Sequence, residues 1–415
     1  MQAKKLRWIR ASGLTPNGLS RNAPPTVSFP MSKLVYIVTG EPSGDILASR
    51  LMRSLRLQRP DVCFAGLGGE TMAEQGFESL FDIAEISVMG FGEVLPKLPL
   101  ILKRLRQVVA DIERRQPDVI VTVDSWGFVS VLLGRLRKKK IAIPKVNYVA
   151  PQVWAWKKGR ARTAAKLLDR LMTLLPYEPP YFEKYGLRCD FVGHPVVENT
   201  ANLHDDLAEF RRRHGVPQDA RLLCALPGSR GHEVKMLVPI FKRVVTRLSE
   251  QFPNLFVIIP SVAAIADAVR RAFADVPTPH CVIVGQRERY NAFRASSFAI
   301  AASGTVTLEL TACGTPHLIA YTFDPITNRI ADKLVTSRYA NLINILANRF
   351  IIPEFTLSRC REGLIYQKSL ELMQHPEHAQ EQVAQAQQYF SQLKPSGGAM
   401  PSEKAAAVVL EVMGK

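Results

Sequence analysis

The chain has 415 residues and contains no Asp-x-Asp pair, no Cys-x-x-Cys pair, no Gly-x-Gly-x-x-Gly and no P-loop. Without paired acids of that spacing there is no sequence signal for the Mg²⁺ or Mn²⁺ site of a metal-dependent sugar transferase. The six cysteines, at 63, 189, 224, 281, 313 and 360, lie far apart. That scatter speaks against a disulfide framework or a zinc site and for reduced thiols in a cytoplasmic compartment. No uninterrupted apolar run reaches the ~20 residues needed to cross a bilayer. The closest, Leu255 to Val269, is broken by Pro260, Ser261 and Asp267. Repeats and low-complexity tracts are also lacking. Residues 1–30 hold no acid and no long apolar stretch, which speaks against a secretory signal. Met31 directly precedes the first strand, so an upstream start or a dispensable tail is favoured over an organellar transit peptide.

What the chain does have is positive charge and alternating strand and helix patterns. Net charge is +17, of which Lys4, Lys5, Arg7, Arg10 and Arg21 contribute five. The remaining excess is drawn to anions: nucleic acid, anionic lipid or phosphorylated substrates. Nucleic acid is disfavoured because no basic–aromatic module accompanies the charge. A hydrophobic share of 47% with 22% charged residues is globular, and the length suits two domains.

The central stretch runs from Val119 to Trp156. Val119-Ile120-Val121-Thr122-Val123 reads as a strand buried on both faces, as parallel sheets require. Asp124 follows at its carboxyl end, where open α/β sheets place ligands. A helix ending in basic residues and a second strand then lead to the aromatic loop holding Trp154 and Trp156. A carboxylate beside two tryptophans suits activation of a hydroxyl next to an apolar or sugar-like surface. Upstream, Leu34–Val38 is a strand, and Gly40-Glu41-Pro42-Ser43-Gly44-Asp45 opens the following helix, with Asp45 readable as a simple helix cap. Phe91, Val94, Leu95 and Leu98 crowd a segment interrupted by Pro96 and Pro99. The helix after it carries Lys103, Arg104 and Arg106. Apolar surplus beside basic residues fits an anionic membrane surface. His194, between a glycine and a proline, reads more readily as a turn residue than as a catalytic one.

The alternation restarts near residue 220. Leu222–Leu226 is a strand, Gly228-Ser229-Arg230 a small loop, and Glu233 opens a helix. Backbone N–H groups, a helix N-terminus and a guanidinium together form a diphosphate receptor. Phe298–Ala302 leads into Ser303-Gly304-Thr305, with Glu309 further along, placed to accept from ribose hydroxyls or else an ordinary surface acid. Two phosphate-type turns facing a carboxylate from the other half predict a nucleotide-sugar cleft between two Rossmann-like α/β domains.

In order and spacing these motifs resemble lipid-A-disaccharide synthase, a membrane-surface glycosyltransferase family of the GT-B fold. The carriers are Gly40–Asp45; Val88-Met89-Gly90 with Glu93-Val94-Leu95; Tyr148–Trp156; Phe191–Pro195; Leu226–Arg230 with Glu233-Val234; Ser303-Gly304-Thr305 with Leu308-Glu309; and Asn344. The resemblance implies a UDP-linked 2,3-diacylglucosamine donor and a 2,3-diacylglucosamine 1-phosphate acceptor. It also implies inverting, metal-independent transfer without a cofactor. Asp124 is then the expected base for the acceptor 6-hydroxyl. Gly228, Ser229, Arg230, Ser303, Gly304, Thr305 and Glu309 are expected around UDP. Ser43, Gly44, Asp45, Met89, Glu93, Trp154 and Asn344 are expected at the acceptor or in the pocket. Phe91, Val94, Leu95, Leu98, Lys103 and Arg104 are expected against the membrane.

The expected place is cytoplasmic, peripheral on the inner face of the inner membrane. The expected domains are residues 31–196 for acceptor and membrane, 197–385 for UDP-sugar, and a helical tail over 386–415. The resemblance suggests a homodimer with exchanged C-terminal segments, which the apolar tail allows. The chain departs from the family after the base: Ser125-Trp126-Gly127-Phe128-Val129 stands where Ala-Pro-Asp-Phe-Asn is usual. Leu357 also replaces an expected glutamine, and Asn344 lacks the usual preceding proline. Two other readings share these features. One is a different UDP-sugar transferase acting on a membrane lipid, against which the Trp154/Trp156 and Gly44-Asp45 loops count. The other is a catalytically silent UDP- or lipid-binding protein, suggested by the residues replaced after Asp124.

Overall fold

β-Branched and apolar runs become strands here because helices cover both faces of each sheet, leaving no polar face to alternate with. The structure is a computed structural model. It describes residues 32–86, 91–153, 159–201, 203, 207–324, 327–329 and 338–414, and of residues 91–95 the backbone alone. Six strands form a first sheet: β1 (Leu34–Thr39), β2 (Cys63–Leu67), β3 (Val119–Val123), β4 (Lys145–Tyr148), β5 (Arg170–Thr173) and β6 (Cys189–Phe191). Six more form a second: β7 (Arg221–Leu226), β8 (Leu255–Ser261), β9 (His280–Val284), β10 (Phe298–Ala302), β11 (His317–Tyr321) and β12 (Glu354–Thr356). All strand pairs are parallel.

The spatial orders are β2-β1-β3-β4-β5-β6 and β12-β11-β10-β7-β8-β9. Each order reverses direction once, at β1/β3 in the first sheet and at β7/β10 in the second. Chains leaving the carboxyl ends of such a strand pair diverge to opposite faces and open a crevice. The register places Thr39 against Val123 and Ala301 against Leu226. The Gly40–Asp45 loop therefore starts beside Asp124, and the Pro227–Arg230 loop starts beside Ser303–Thr305.

Four helices frame the first crevice: α1 (Pro42–Gln58), α2 (Glu70–Ala73), α3 (Phe91–Arg115) and α4 (Trp126–Lys138). One expectation is corrected. The segment with Pro96 and Pro99 is not separate from the helix after it, since α3 runs unbroken through both. The two prolines are exposed in the first half of the helix, where the carbonyls that lack an N–H partner are open to solvent. Leu105, Val108, Val109 and Ile112 anchor the rest in the core.

The last helix, Pro401–Val412, docks on the first sheet's side rather than the second's. Ala405, Ala406 and Val409 are buried in the cluster that holds Leu51 and Leu55 of α1. Ser54 Oγ donates to Ser402 Oγ at 2.9 Å, and Glu411 accepts from Arg170 and Arg188 at 3.0 Å each.

Candidate active site

Asp124 sits at the end of β3 with φ of +54°, followed by Ser125 at +44°. Left-handed backbone is costly for residues with a Cβ, though Asp tolerates it better than most. Val149, at the end of neighbouring β4, has φ of +82°, which is worse for a β-branched side chain. Asp124 N–H donates to Tyr148 O at 2.9 Å, and Asn147 Nδ2 donates to Val149 O at 2.8 Å, so the surrounding sheet holds these conformations in place. Strain gathered at two adjacent strand ends is characteristic of a functional crevice.

Ser43 Oγ donates to Asp124 Oδ2 at 3.3 Å, bringing the first loop onto the carboxylate. Gly44 permits this approach: a Cβ there would stand 3.1 Å from Val123 O and 3.7 Å from Asp124 Cβ. Asp45, by contrast, faces away. It is buried and accepts from the N–H groups of Gly69, Thr71 and Met72 and from Thr71 Oγ1, tying α1 to the start of α2.

Glu41 went unnoticed as a site residue in the sequence. Burial pushes its carboxyl above the ordinary glutamate range, and the negative charge of Asp124 adds to the shift. The Ser125 hydroxyl and the Arg230 guanidinium pull it back down. The charges that act on Glu41 thus include Asp124 from its own half and Arg230 from the other. The available signal was its place at the end of β1, beside β3.

In the second crevice Glu233 organises the loop. Its carboxylate accepts from Ser229 N at 2.9 Å, Arg230 N at 3.2 Å and Arg230 Nη1 at 3.2 Å. Gly228 has φ of +111°, and a Cβ there would fall 2.5 Å from Glu233 Cβ, so this turn accepts only glycine. Arg230 keeps about half its side chain exposed toward the cleft, at 54%. Across the switch point, Gly304 and Thr305 are exposed, and Glu309 is buried behind them. Burial raises the Glu309 pKa while Arg289 and Tyr290, each donating at 3.0 Å, oppose the rise.

Two more expected site residues have other surroundings. Asn344 is fully buried: its amide donates to Ile352 O and Glu354 Oε1 at 2.7 Å and accepts from Ile351 N and Ile352 N. Any influence on the cleft runs through the loop it holds. Arg104 turns inward, donating to Glu85 at 2.7 and 2.5 Å with its guanidinium 4.7 Å above the Phe81 ring. Lys103 and Leu98 are exposed. Met89 and Trp154 lie outside the described residues, as do the side chains of Phe91, Glu93, Val94 and Leu95.

A cavity of about 890 Å³ lies at the first crevice. Glu41, Ser43, Asp124 and Gln152 line it, as do Trp126 and Phe128 from α4, and Thr305 and Leu342 reach it from the second half. His194 also lines it, buried as the cap of the helix Pro195–Asn199, with Nδ1 accepting from Val196 N at 3.2 Å. Burial lowers its pKa from 6.5 to about 4, so the ring is neutral at pH 7. Between those values the unfolded chain binds a proton that the folded ring refuses, so stability is full above about pH 6.5 and falls toward pH 4. The loss is about 3 kcal/mol. Denaturant unfolding across that range should show it, and His194→Asn, which keeps a capping acceptor, should remove this share of the slope. An unchanged slope in the variant would reject the assignment.

Among the described residues, no helix is long and apolar enough to cross a membrane. Residues 35–409 match the family model for lipid-A-disaccharide synthetase. The lipid-A-disaccharide synthase of Rhodospirillum centenum is 42% identical over 386 residues, covering 92% of this chain and 95% of the relative. That of Paramagnetospirillum magneticum is 42% identical over 381 residues, covering 91% and 97%. Among solved structures, the S. aureus MnaA–UDP co-structure superposes with a TM-score of 0.64 at 13% identity, covering 92% of this chain and 97% of that one, a likeness of fold alone. With two facing parallel sheets in the GT-B arrangement and a family match over nearly its whole length, the chain belongs to the lipid-A-disaccharide synthetase family of glycosyltransferases.

Proposed function

We propose that the protein transfers 2,3-diacylglucosamine from UDP to the 6-hydroxyl of 2,3-diacylglucosamine 1-phosphate. The products are a β-1,6-linked disaccharide 1-phosphate and UDP. The observation that carries this reading is one cavity lined by Ser43 and Asp124 at the first switch point and by Thr305 from the turn at the second. The proposed base therefore faces a cavity that the Ser303–Thr305 turn also reaches. Asp124 takes the proton of the acceptor hydroxyl as its oxygen bonds to the donor C1. On the opposite face the C1–O bond to the diphosphate breaks, and UDP leaves with the electron pair. Arg230, the Gly228-Ser229 loop and the Ser303–Thr305 turn stabilise the charge that develops there. Glu309, held by Arg289 and Tyr290, accepts from ribose. The acceptor side corresponds to residues 31–196 and the UDP side to 197–385.

The exposure of Leu98 and Lys103 on α3 supports a contact between this helix and anionic lipid, with the protein on the cytoplasmic face of the inner membrane where acylated substrates would reside. The test is UDP release by purified protein with both substrates in detergent micelles, without added metal. No release by folded protein that still binds UDP would reject the transferase reading and favour a silent binder.

Glu233 provides a second check on the donor half. Glu233→Ala removes an acceptor from two backbone N–H groups and frees the Arg230 side chain. Stability should drop by about 1–2 kcal/mol through the lost cap. The KM for the donor should rise about tenfold, since one charge-assisted hydrogen bond is worth roughly that factor. An unchanged KM would mean that the loop forms without Glu233.

A further inference from the structure

Three of the exposed large apolar side chains gather at one place. Ile46, Leu98 and Val131 are 45%, 41% and 45% exposed, and all three line the same cavity as Asp124. From the polar rim at Asp124 and Glu41, an arm of this cavity is walled by Leu98, Ile101 and Leu102 of α3 and by Trp126, Phe128 and Val131 of α4. None of these six side chains offers a hydrogen bond to a ligand except the indole N–H. A hydroxylated ring seated there would leave its polar groups unpaired, at a cost of 1–3 kcal/mol or more for each. A hydrocarbon chain loses nothing. Trp126 also stands in the run after Asp124 where the chain departs from the family pattern, with indole in place of the usual proline, while Phe128 keeps the usual residue.

We infer that this arm holds one acyl chain of the acceptor, and that Trp126 is the wall that sets how much of the chain is gripped. The inference rests on the reaction proposed above. It assigns the chain to the acceptor because, Asn199, Thr305 and Leu342 apart, the cavity lining comes from the half that carries the proposed base. The donor, held at the loops of the second sheet, reaches Asp124 from the other side. The volume of about 890 Å³ suits a ligand larger than a sugar ring, toward the upper end of the range for small-molecule sites. The exposed outer edge at Leu98 and Val131 lets the far end of the chain lead toward the surface that α3 presents.

The test reads binding rather than turnover. Calorimetric titration of the whole protein, without donor, would use diacylglucosamine 1-phosphates of increasing chain length, kept below their micelle concentrations. In the native protein Kd should tighten about fourfold for each methylene engaged. In Trp126→Ala, and in Leu98→Gln should the first variant fold poorly, the dependence should fall below about twofold per methylene. Leu57→Gln, an exposed leucine of α1 outside the cavity, should keep the native slope. Equal slopes in the native protein and both cavity variants would overturn the inference, even if UDP is released normally. A steep native slope that flattens in the variants would sustain the slot, even if no turnover is found and the transferase reading fails.

Discussion

Asp124→Ala is expected to lower UDP release by about 10² or more while leaving UDP binding intact. The loss is placed in kcat because the carboxylate acts on a proton that moves only in the transition state, and binding of the donor does not use it. Asp124→Asn separates charge from shape. Asparagine accepts the left-handed φ of +54° as well as aspartate does, so the strand end and the Tyr148 contact are kept. An amide cannot take the proton, and Asp124→Asn should be as inactive as Asp124→Ala. If Asp124→Asn retained native turnover, the base would have to be sought elsewhere in the cleft, with Glu41 the first candidate. Its carboxyl faces the same space, and its pKa is already raised by burial and by Asp124.

Arg230→Ala is expected to cost about 10²–10³ in kcat/KM, the range for removing one preorganised donor from developing negative charge. The effect should be larger on kcat than on the Kd of UDP. The guanidinium gains most when the diphosphate takes up the electron pair, whereas the Gly228–Ser229 backbone contacts a bound diphosphate either way. Arg230→Lys should restore only part of the activity, because a point charge lacks the fork that can hold Glu233 and a phosphate oxygen together. Equal losses in kcat/KM and in UDP affinity, with kcat untouched, would recast Arg230 as a simple anchor.

The strand–loop–helix units were legible because parallel strands buried on both faces read as continuous apolar runs. All five residues of β3 are buried. The loops that matter follow the carboxyl ends of strands, so Asp124, the Gly228–Arg230 loop and the Ser303–Thr305 turn could be named before any coordinates. Residues whose partners are distant in the chain were not legible. Asp45 looks the same in sequence whether it faces a substrate or the Gly69–Met72 backbone. Asn344 could not be seen to spend its whole amide on residues 351–354. Arg104 could face lipid or Glu85, and only the packing of α3 against the strand-and-loop region before it decided for Glu85. The two prolines in α3 read locally as an interruption, yet the buried stripe from Leu105 to Ile112 outweighed two missing N–H bonds.

By itself, then, the sequence determined the α/β class, the order of the strands and the family, because these are written in short-range periodicity and motif spacing. Tertiary structure alone decided that β1 lies beside β3 and β7 beside β10, which opens the two crevices. It also decided that Ser43 meets Asp124, and that Trp126 lines one cavity with Leu98, Ile101 and Leu102 of α3. Such contacts join segments separated by tens or hundreds of residues, and they are selected by the packing of whole helices on whole sheets rather than by any local pattern.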